Sequence, residues 1–404
     1  MAKTIRQNSD KLCALTLGDL TCGFFLEQYP RYDTLWEGLS RLDFRQLIDL
    51  RDKRVFNDKY LESQRYEQSR GYFYRIARKI RSFCHISRYA ISISNTAYRE
   101  KVDVIFVFPG NLLLAICLGL LKFLHRTKVY LDLFDSEYLG ARRHSTGRFN
   151  IITSYILEFL SSKFADQLIC FTPEYATYYQ NLYKIRDDKL SVVPDGVQDI
   201  WFDQPADIRH EVGRPKRVLY WGNFLVHHGL DIILDAAEEL RDENIEFIFC
   251  GRGDKEAWMK QEVDRRNLSN VVFRGFVPTT KELIHIIDGS DITLDHSRDM
   301  HAVRFGLSNK LRQGMARGKP VITVRTKQKE TWYRTKGNPF PPLIQIEPSA
   351  KSLSQAIKEL INNPQKAEQV GNAARSTVKR LHSVEAITSS LKKSLEKALK
   401  MAGK

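Results

Sequence analysis

The sequence predicts an α/β protein built from two parallel-sheet halves. Three observations predict it. Short, near-continuous apolar runs alternate with helical patterns. The alternation restarts after residue 216. A charged stretch holding Pro205, Gly213 and Pro215 separates the two rounds.

In the first half, strands are expected at 12–17, 46–50, 102–107, 128–133, 167–171 and 190–193. Helices are expected near 34–42, 72–91, 112–124 and 151–163. Strands that are apolar on both faces require helices on both sides of a parallel sheet. In the second half, strands at 217–220, 246–250, 271–273, 292–295 and 321–324 alternate with helices at 229–240, 254–266, 281–287 and 307–317. The tail 383–404 reads as a helix, and Ala386, Leu391, Leu395 and Leu399 give it an apolar stripe for docking on a neighbouring domain. The expected domains are therefore 1–200, a linker at 201–216, 217–380, and a C-terminal helix at 381–404 that docks back on the N-terminal domain. No short internal repeat or low-complexity segment is visible.

Composition bounds the class. With 404 residues the chain exceeds what one core usually fills, and 43% hydrophobic against 27% charged residues is a globular balance. The six cysteines, Cys13, Cys22, Cys84, Cys117, Cys170 and Cys250, have neither metal-ligand nor redox spacing. They read as buried free thiols of a reducing compartment. The first ten residues are polar and lack the apolar core of a secretory signal. The most apolar run, 112–124, carries Lys122 and falls short of the about 20 residues that span a bilayer. A cytoplasmic location is expected. The net charge of +15 suits nucleic acid, an anionic membrane, phosphate-bearing substrates, or simply a solvated basic surface. The basic residues are spread along the chain and no nucleic-acid module is present, so a nucleic-acid partner is not expected.

Several segments carry chemistry. Gly222 ends a strand where open α/β sheets bind ligands, and the loop to Gly229 leads into a helix. Glycine lets a ligand approach the backbone, a helix N-terminus favours an anion, and His228 could add a donor. A plain strand–helix loop reads the same way. Gly251 and Gly253 end the next strand, but a lone Gly-x-Gly also serves tight turns. The strongest segment is 305–323. Ser308 and Asn309 can cap a helix whose first turn holds Lys310, and a lysine there matches a diphosphate. Gln313 lies on the same face, within reach of a ligand's hydroxyls. Gly318 closes the helix. In the first half, Asp132, Asp135 and Glu137 cluster at a strand end. One of them could orient or deprotonate a hydroxyl, or the cluster is an acidic loop capping the next helix. The helix from 72 places Phe73, Ile76, Ile80 and Phe83 on one face and Arg75, Arg78, Lys79 and Arg81 on others. It suits either an anionic membrane surface or a packed surface helix with solvated charges.

The segments LYWGNFLVHHGLDIILDAAEEL, FIFCGRGD, VVFRGFVP and SNKLRQGMARGKPVIT, in this order and spacing, resemble the donor-binding domain of glycosyltransferase family 4. LSVVPDGVQDIWF resembles that family's interdomain strand and loop. YPRYDTLWEGLSRL, VDVIFVFPG and YLDLFDSEYLG resemble its acceptor-side segments more loosely. The resemblance covers roughly residues 12–380 and is most specific in the C-terminal half.

It implies a GT-B fold, two Rossmann-like domains facing a central cleft whose closure expels water. It also implies transfer of a sugar from a nucleotide diphosphate sugar to a saccharide or lipid-linked acceptor, with retention and without metal or other cofactor. Lys310 matches the family's diphosphate-binding lysine, and Gly222 and Asn223 match its donor loop. Two departures stand out. Gln313 occupies the place of a ribose-gripping glutamate, and an amide cannot accept at both ends as a carboxylate does. Asn223 and His228 stand where the family often has arginine and lysine, so Arg304 or Arg252 would have to supply charge. The implied acceptors also favour a peripheral site on the inner face of the membrane for the basic helix. The alternative is a non-catalytic relative that binds a nucleotide or a partner only.

Overall fold

The computed structural model describes residues 12–17, 30–49, 72–108, 111–133, 136–143, 147–203, 213–295, 308–333 and 341–400. The chain divides into two units, 1–195 together with 387–404, and 196–386.

The first unit runs β1 (Cys13–Leu17), α1 (Pro30–Ser40), β2 (Gln46–Asp49), α2 (Tyr72–Arg99), β3 (Val104–Val107), α3 (Leu112–Leu120), α4 (Lys122–His125), β4 (Lys128–Leu133), α5 (Glu137–Arg143), α6 (Arg148–Phe164), β5 (Gln167–Cys170), α7 (Pro173–Tyr183) and β6 (Leu190–Val192). Its six strands are all parallel in the order β2-β1-β3-β4-β5-β6. β3 and β5 are buried at every position, as double coverage demands. The run 112–124 is two helices rather than one. Leu121 leaves helical geometry, and Arg126 closes α4 in the left-handed region. α7 was not visible as a helical pattern. Thr172 caps it and Pro173 opens it, while Tyr175, Tyr179 and Tyr183 supply the buried side that apolar residues usually give.

The second unit runs β7 (Lys216–Asn223), α8 (Leu230–Glu239), β8 (Ile245–Arg252), α9 (Glu256–Arg266), β9 (Val271–Gly275), α10 (Thr280–Asp288), β10 (Ile292–Asp295), α11 (Asn309–Ala316), β11 (Val321–Val324), α12 (Lys327–Trp332), β12 (Ile344–Ile346), α13 (Ala350–Asn362) and α14 (Pro364–His382). Its parallel order is β12-β11-β10-β7-β8-β9. Alternate residues of β7 feed two cores. Val218 and Tyr220 pack with Phe247, Phe249, Leu234 and Ile357, while Leu219 and Trp221 pack with Ile248, Leu311, Met315 and Val378.

Residues 196–203, divided by sequence between the first half and the linker, pack in the second unit. Trp201 is buried there, and the buried Arg317 donates to the Trp201 and Asp203 carbonyls while pairing with Asp288 at 2.7 Å. α15 (Val384–Lys400) carries Ile387, Leu391 and Leu395 into the core of the first unit, against Leu35, Leu39, Phe106 and Ile169. Of the thiols, Cys13, Cys117, Cys170 and Cys250 are buried, but Cys84 is exposed on α2. Cys22 lies outside the described residues.

Candidate functional site

In the second sheet the strand order reverses between β7 and β10, and such a switch point opens a crevice beyond the carboxyl ends of the strands. Gly222 and Asn223 end β7, and Asp295 ends β10. Gly222 has φ 117°, and among the described residues a Cβ there would meet Lys310, with Nζ 3.7 Å away. The loop and the lysine are therefore side by side.

The approach to Lys310 is built by Ser308. Its hydroxyl accepts from the Leu311 amide at 3.1 Å as the N-cap of α11 and donates to Asp295. Asp295 also accepts from Thr323 at 3.1 Å and lies 3.5 Å from the Lys329 ammonium. Burial opposes the Asp295 charge, but Lys329, Lys310 and the two hydroxyls hold the carboxyl below its ordinary range. Lys310 is half-buried. Burial lowers its pKa, Asp295 works against this and Lys329 adds to it. Among the described residues, the Lys310 ammonium has no hydrogen-bond acceptor. It stands 5.3 Å above the Tyr220 ring. One carboxylate thus faces two ammonium groups, and one of those has no acceptor among the described residues.

Gln313 lies one turn along α11, where its Oε1 accepts from the Trp221 indole at 3.1 Å. Asn309 accepts from Arg312. His228 braces the loop: its Nδ1 donates to the Asn223 carbonyl at 2.6 Å and lies 2.8 Å from the Tyr220 hydroxyl. Gly229 then opens α8 at φ 61° and brings no side-chain cap. Gly251 and Gly253 have a packing reason of their own. A Cβ on Gly251 would sit 1.9 Å from the Gly222 carbonyl oxygen, and one on Gly253 2.7 Å from the Phe224 nitrogen. Arg252 lies over the Phe276 ring at 4.5 Å. Arg304 lies outside the described residues.

In the first unit, one candidate carboxylate lies in a buried ion pair. Asp132 is 1% exposed, and its carboxylate is held by Arg31, whose Nε donates to both oxygens at 3.1 and 3.2 Å. Arg31 also pairs with Asp195 at 2.9 Å and donates to the Val193 carbonyl. Burial alone would lower Arg31, but the two carboxylates hold it above its ordinary range. A base must reach a substrate proton, and a carboxylate sealed by arginine does not. The pairing with Arg31 favours a structural part for Asp132. Glu137 is exposed at the start of α5, and Asp135 lies outside the described residues. The buried Glu158 pins that segment, accepting from Ser136 at 2.9 Å, the Tyr138 amide at 2.9 Å and Tyr183 at 2.6 Å. The backbone of α2 is described, but the side chains of Arg75, Arg78, Lys79 and Arg81 lie outside the described residues.

Sequence reasoning missed Asp295, Lys329 and Trp221 as parts of the site. Asp295 was detectable as a carboxylate ending a strand beside the switch point. Lys329 and Trp221 carried no such signal.

The same stretch of chain that builds this crevice has a family signature. Residues 215–363 match the model described as glycosyl transferases group 1. O-antigen chain mannosyltransferase C of Escherichia coli is 29% identical over 225 residues, 54% of this chain and 56% of that protein. D-rhamnosyltransferase WbpZ of Pseudomonas aeruginosa is 26% identical over 220 residues, 54% of this chain and 55% of that protein. The chain thus matches about half the length of these curated relatives. Among solved structures, Anabaena Alr3699/HepE in complex with UDP and glucose has a TM-score of 0.64 at 16% identity, covering 95% of this chain and 99% of that one. A glycosyltransferase from Rickettsia africae scores 0.67 at 15% identity, covering 97% and 99%. The fold is GT-B.

Proposed function

We propose that this chain is a glycosyltransferase that moves a sugar from a nucleotide diphosphate sugar to a saccharide or lipid-linked acceptor in cell-surface polysaccharide synthesis. The observation that carries this reading is the Lys310 ammonium, without an acceptor among the described residues, beside Gly222 at the switch point. The relatives' names favour mannose or a deoxyhexose as the sugar and an O-antigen-like glycan as the acceptor.

In this reading Lys310 and the uncapped amides at the start of α8 meet the diphosphate. Negative charge grows on the leaving phosphate as the glycosidic bond breaks, and fixed donors aimed at it stabilise that charge most in the transition state. Asp295 and Ser308 keep the lysine and the α11 N-terminus in place. The Gln313 amide reaches the ribose. We assign retention and metal independence on the family resemblance, with lysine and amides serving as the counter-charge. Incubation of the chain with UDP- and GDP-linked hexoses and a lipid-linked or oligosaccharide acceptor tests this. Product whose anomeric configuration matches the donor's is expected, at unchanged rate in EDTA. Inverted product, or a rate lost in EDTA, overturns the corresponding assignment.

A second reading, a non-catalytic relative, draws on Gln313, an amide in the place of the family's carboxylate, with its oxygen already accepting from Trp221. Tight nucleotide binding without transfer or donor hydrolysis across those donors would favour it.

A further inference from the structure

A second ammonium group stands behind Lys310, and the function proposed above gives it no part. Lys329 is 2% exposed, an uncommon place for a lysine. Local structure puts it there. β10 and β11 pair in a register that sets Asp295 opposite Thr323, and the chain turns from β11 almost directly into α12. Thr326 caps that helix, its hydroxyl accepting from the Lys329 amide at 3.2 Å, and the Lys329 side chain reaches back to the strand just left. There its ammonium donates to the Thr323 hydroxyl and, at 3.1 Å, to the Val324 carbonyl, and it stands 3.5 Å from the Asp295 carboxylate. Three acceptors meet three N–H groups, so Lys329 has no donor left for a ligand.

Asp295 is engaged to match. One of its oxygens accepts from Ser308, and the other accepts from Thr323 at 3.1 Å and faces Lys329. Lys310 feels the same carboxylate, yet among the described residues no carboxylate oxygen lies within ion-pair distance of its ammonium. Asp295, Lys310 and Lys329 together formally carry one positive charge in excess. That charge is presented at Lys310, the half-buried member of the three, beside Gly222. A buried carboxylate deprived of its close cation is strongly unfavourable and draws in any other cation within reach. Without Lys329 that cation is Lys310, a point charge on a flexible stem.

We propose that Lys329 is a positioning residue of this site: by holding Asp295 directly and through Thr323, it keeps the carboxylate from pairing with Lys310 and leaves that ammonium open to a ligand's diphosphate. The inference rests on the function proposed above, in which Lys310 meets the diphosphate. It gives a part to a residue that acts only through its neighbours. Direct contact of Lys329 with phosphate fits the geometry less well, because its burial and its acceptors keep the ammonium turned to the protein.

The test is a double-mutant cycle of the full chain, read by titration calorimetry with UDP, GDP and their nucleosides. Lys329→Met should weaken diphosphate binding at least about tenfold, the scale of one lost charge-assisted contact, and leave nucleoside binding unchanged. Asp295→Asn/Lys329→Met should bind the diphosphate as Asp295→Asn does, because Lys329 has nothing to restrain once the carboxylate is gone. A pH series supplies a readout that packing alone does not move. Among the described residues, the charged groups facing Lys310 are Asp295 of β10 and Lys329 of α12, and the Tyr220 ring of β7 lies against it. Removing Lys329 ends its repulsion and closes the pair with Asp295. Both changes raise the Lys310 pKa, so the decline of diphosphate affinity with rising pH should move to higher pH. Should Lys329→Met fail to fold, Lys329→Gln keeps a donor toward Thr323 and carries the same expectations. Parental diphosphate affinity in the folded single variant, a pH decline that stays in place, or a double variant that binds the diphosphate more weakly than Asp295→Asn would each overturn the inference. A parent that binds the diphosphate no more tightly than the nucleoside would overturn the proposed function, and this inference with it.

Discussion

At the scale of single residues, the site turns on how a few polar groups are already engaged. The Gln313 carbonyl oxygen accepts from Trp221, which leaves one further lone pair and the amide nitrogen for a ribose. A glutamate could accept from Trp221 with one oxygen and from a ribose hydroxyl with the other. Gln313→Ala should therefore weaken nucleotide binding, while Gln313→Glu should be tolerated or bind more tightly, as titration calorimetry with UDP and GDP would show. Unchanged binding and turnover in the alanine variant would make Gln313 structural. Lys310 adds a pH dependence. Its pKa is lowered mainly by burial, so its proton leaves at a lower pH than that of an ordinary lysine. Diphosphate affinity should fall as pH rises through that lowered value, and a pH series of dissociation constants would reveal it. A decline seen equally for the bare nucleoside would point elsewhere. Arg31 is the corresponding group of the first unit. Arg31→Met leaves Asp132 and Asp195 facing each other in a buried site, which should cost about 3–5 kcal/mol at neutral pH in urea unfolding. Burial then drives the Asp132 carboxyl toward its neutral form, so the loss should shrink at pH 5. A loss that does not change with pH would show that packing, not charge, is at stake.

At the scale of elements, the ends of β7 and β8 approach so closely that side chains are excluded. Gly251→Ala would set a Cβ against the Gly222 carbonyl, a backbone clash that no rotamer relieves. Overpacking of this kind should destabilise the second unit by more than about 3 kcal/mol in thermal unfolding, with donor binding lost alongside. A variant of parental stability would contradict the close register of the two strands. The elements also show what a sequence makes visible. Strands buried on both faces announce themselves as apolar runs, and Ser308, Lys310 and Gly318 mark the start, the chemistry and the end of α11 within a dozen residues. Such signals are local. Asp132 was not legible in the same way, because a carboxylate at a strand end reads alike as a base or as half of an ion pair, and its arginine lies 101 residues away. α7 hid because tyrosines supply its buried side. Gly251 and Gly253 hid differently, since a glycine required by a neighbouring backbone looks the same as one required by a phosphate. Lys329 enters the site only because β11 returns beside β10 and carries α12 with it, which is a fact of topology.

At the scale of the whole molecule, the chain has two parallel sheets. In the proposed reading the second unit, with its crevice at the switch point between β7 and β10, is the donor domain. The first unit buries Asp132 in an ion pair with Arg31 and leaves apolar side chains of α6 exposed. The central claim is that the crevice binds a nucleotide through its diphosphate. The most direct measurement is titration calorimetry of the parent chain and of Lys310→Ala with UDP and GDP and with the corresponding nucleosides. The account predicts that the parent binds at least one diphosphate, that Lys310→Ala loses about 1.5–3 kcal/mol toward it, as expected for a charge-assisted hydrogen bond, and that nucleoside affinity stays the same. Equal losses for diphosphate and nucleoside, or a Lys310→Ala variant that binds the diphosphate as the parent does, would contradict it.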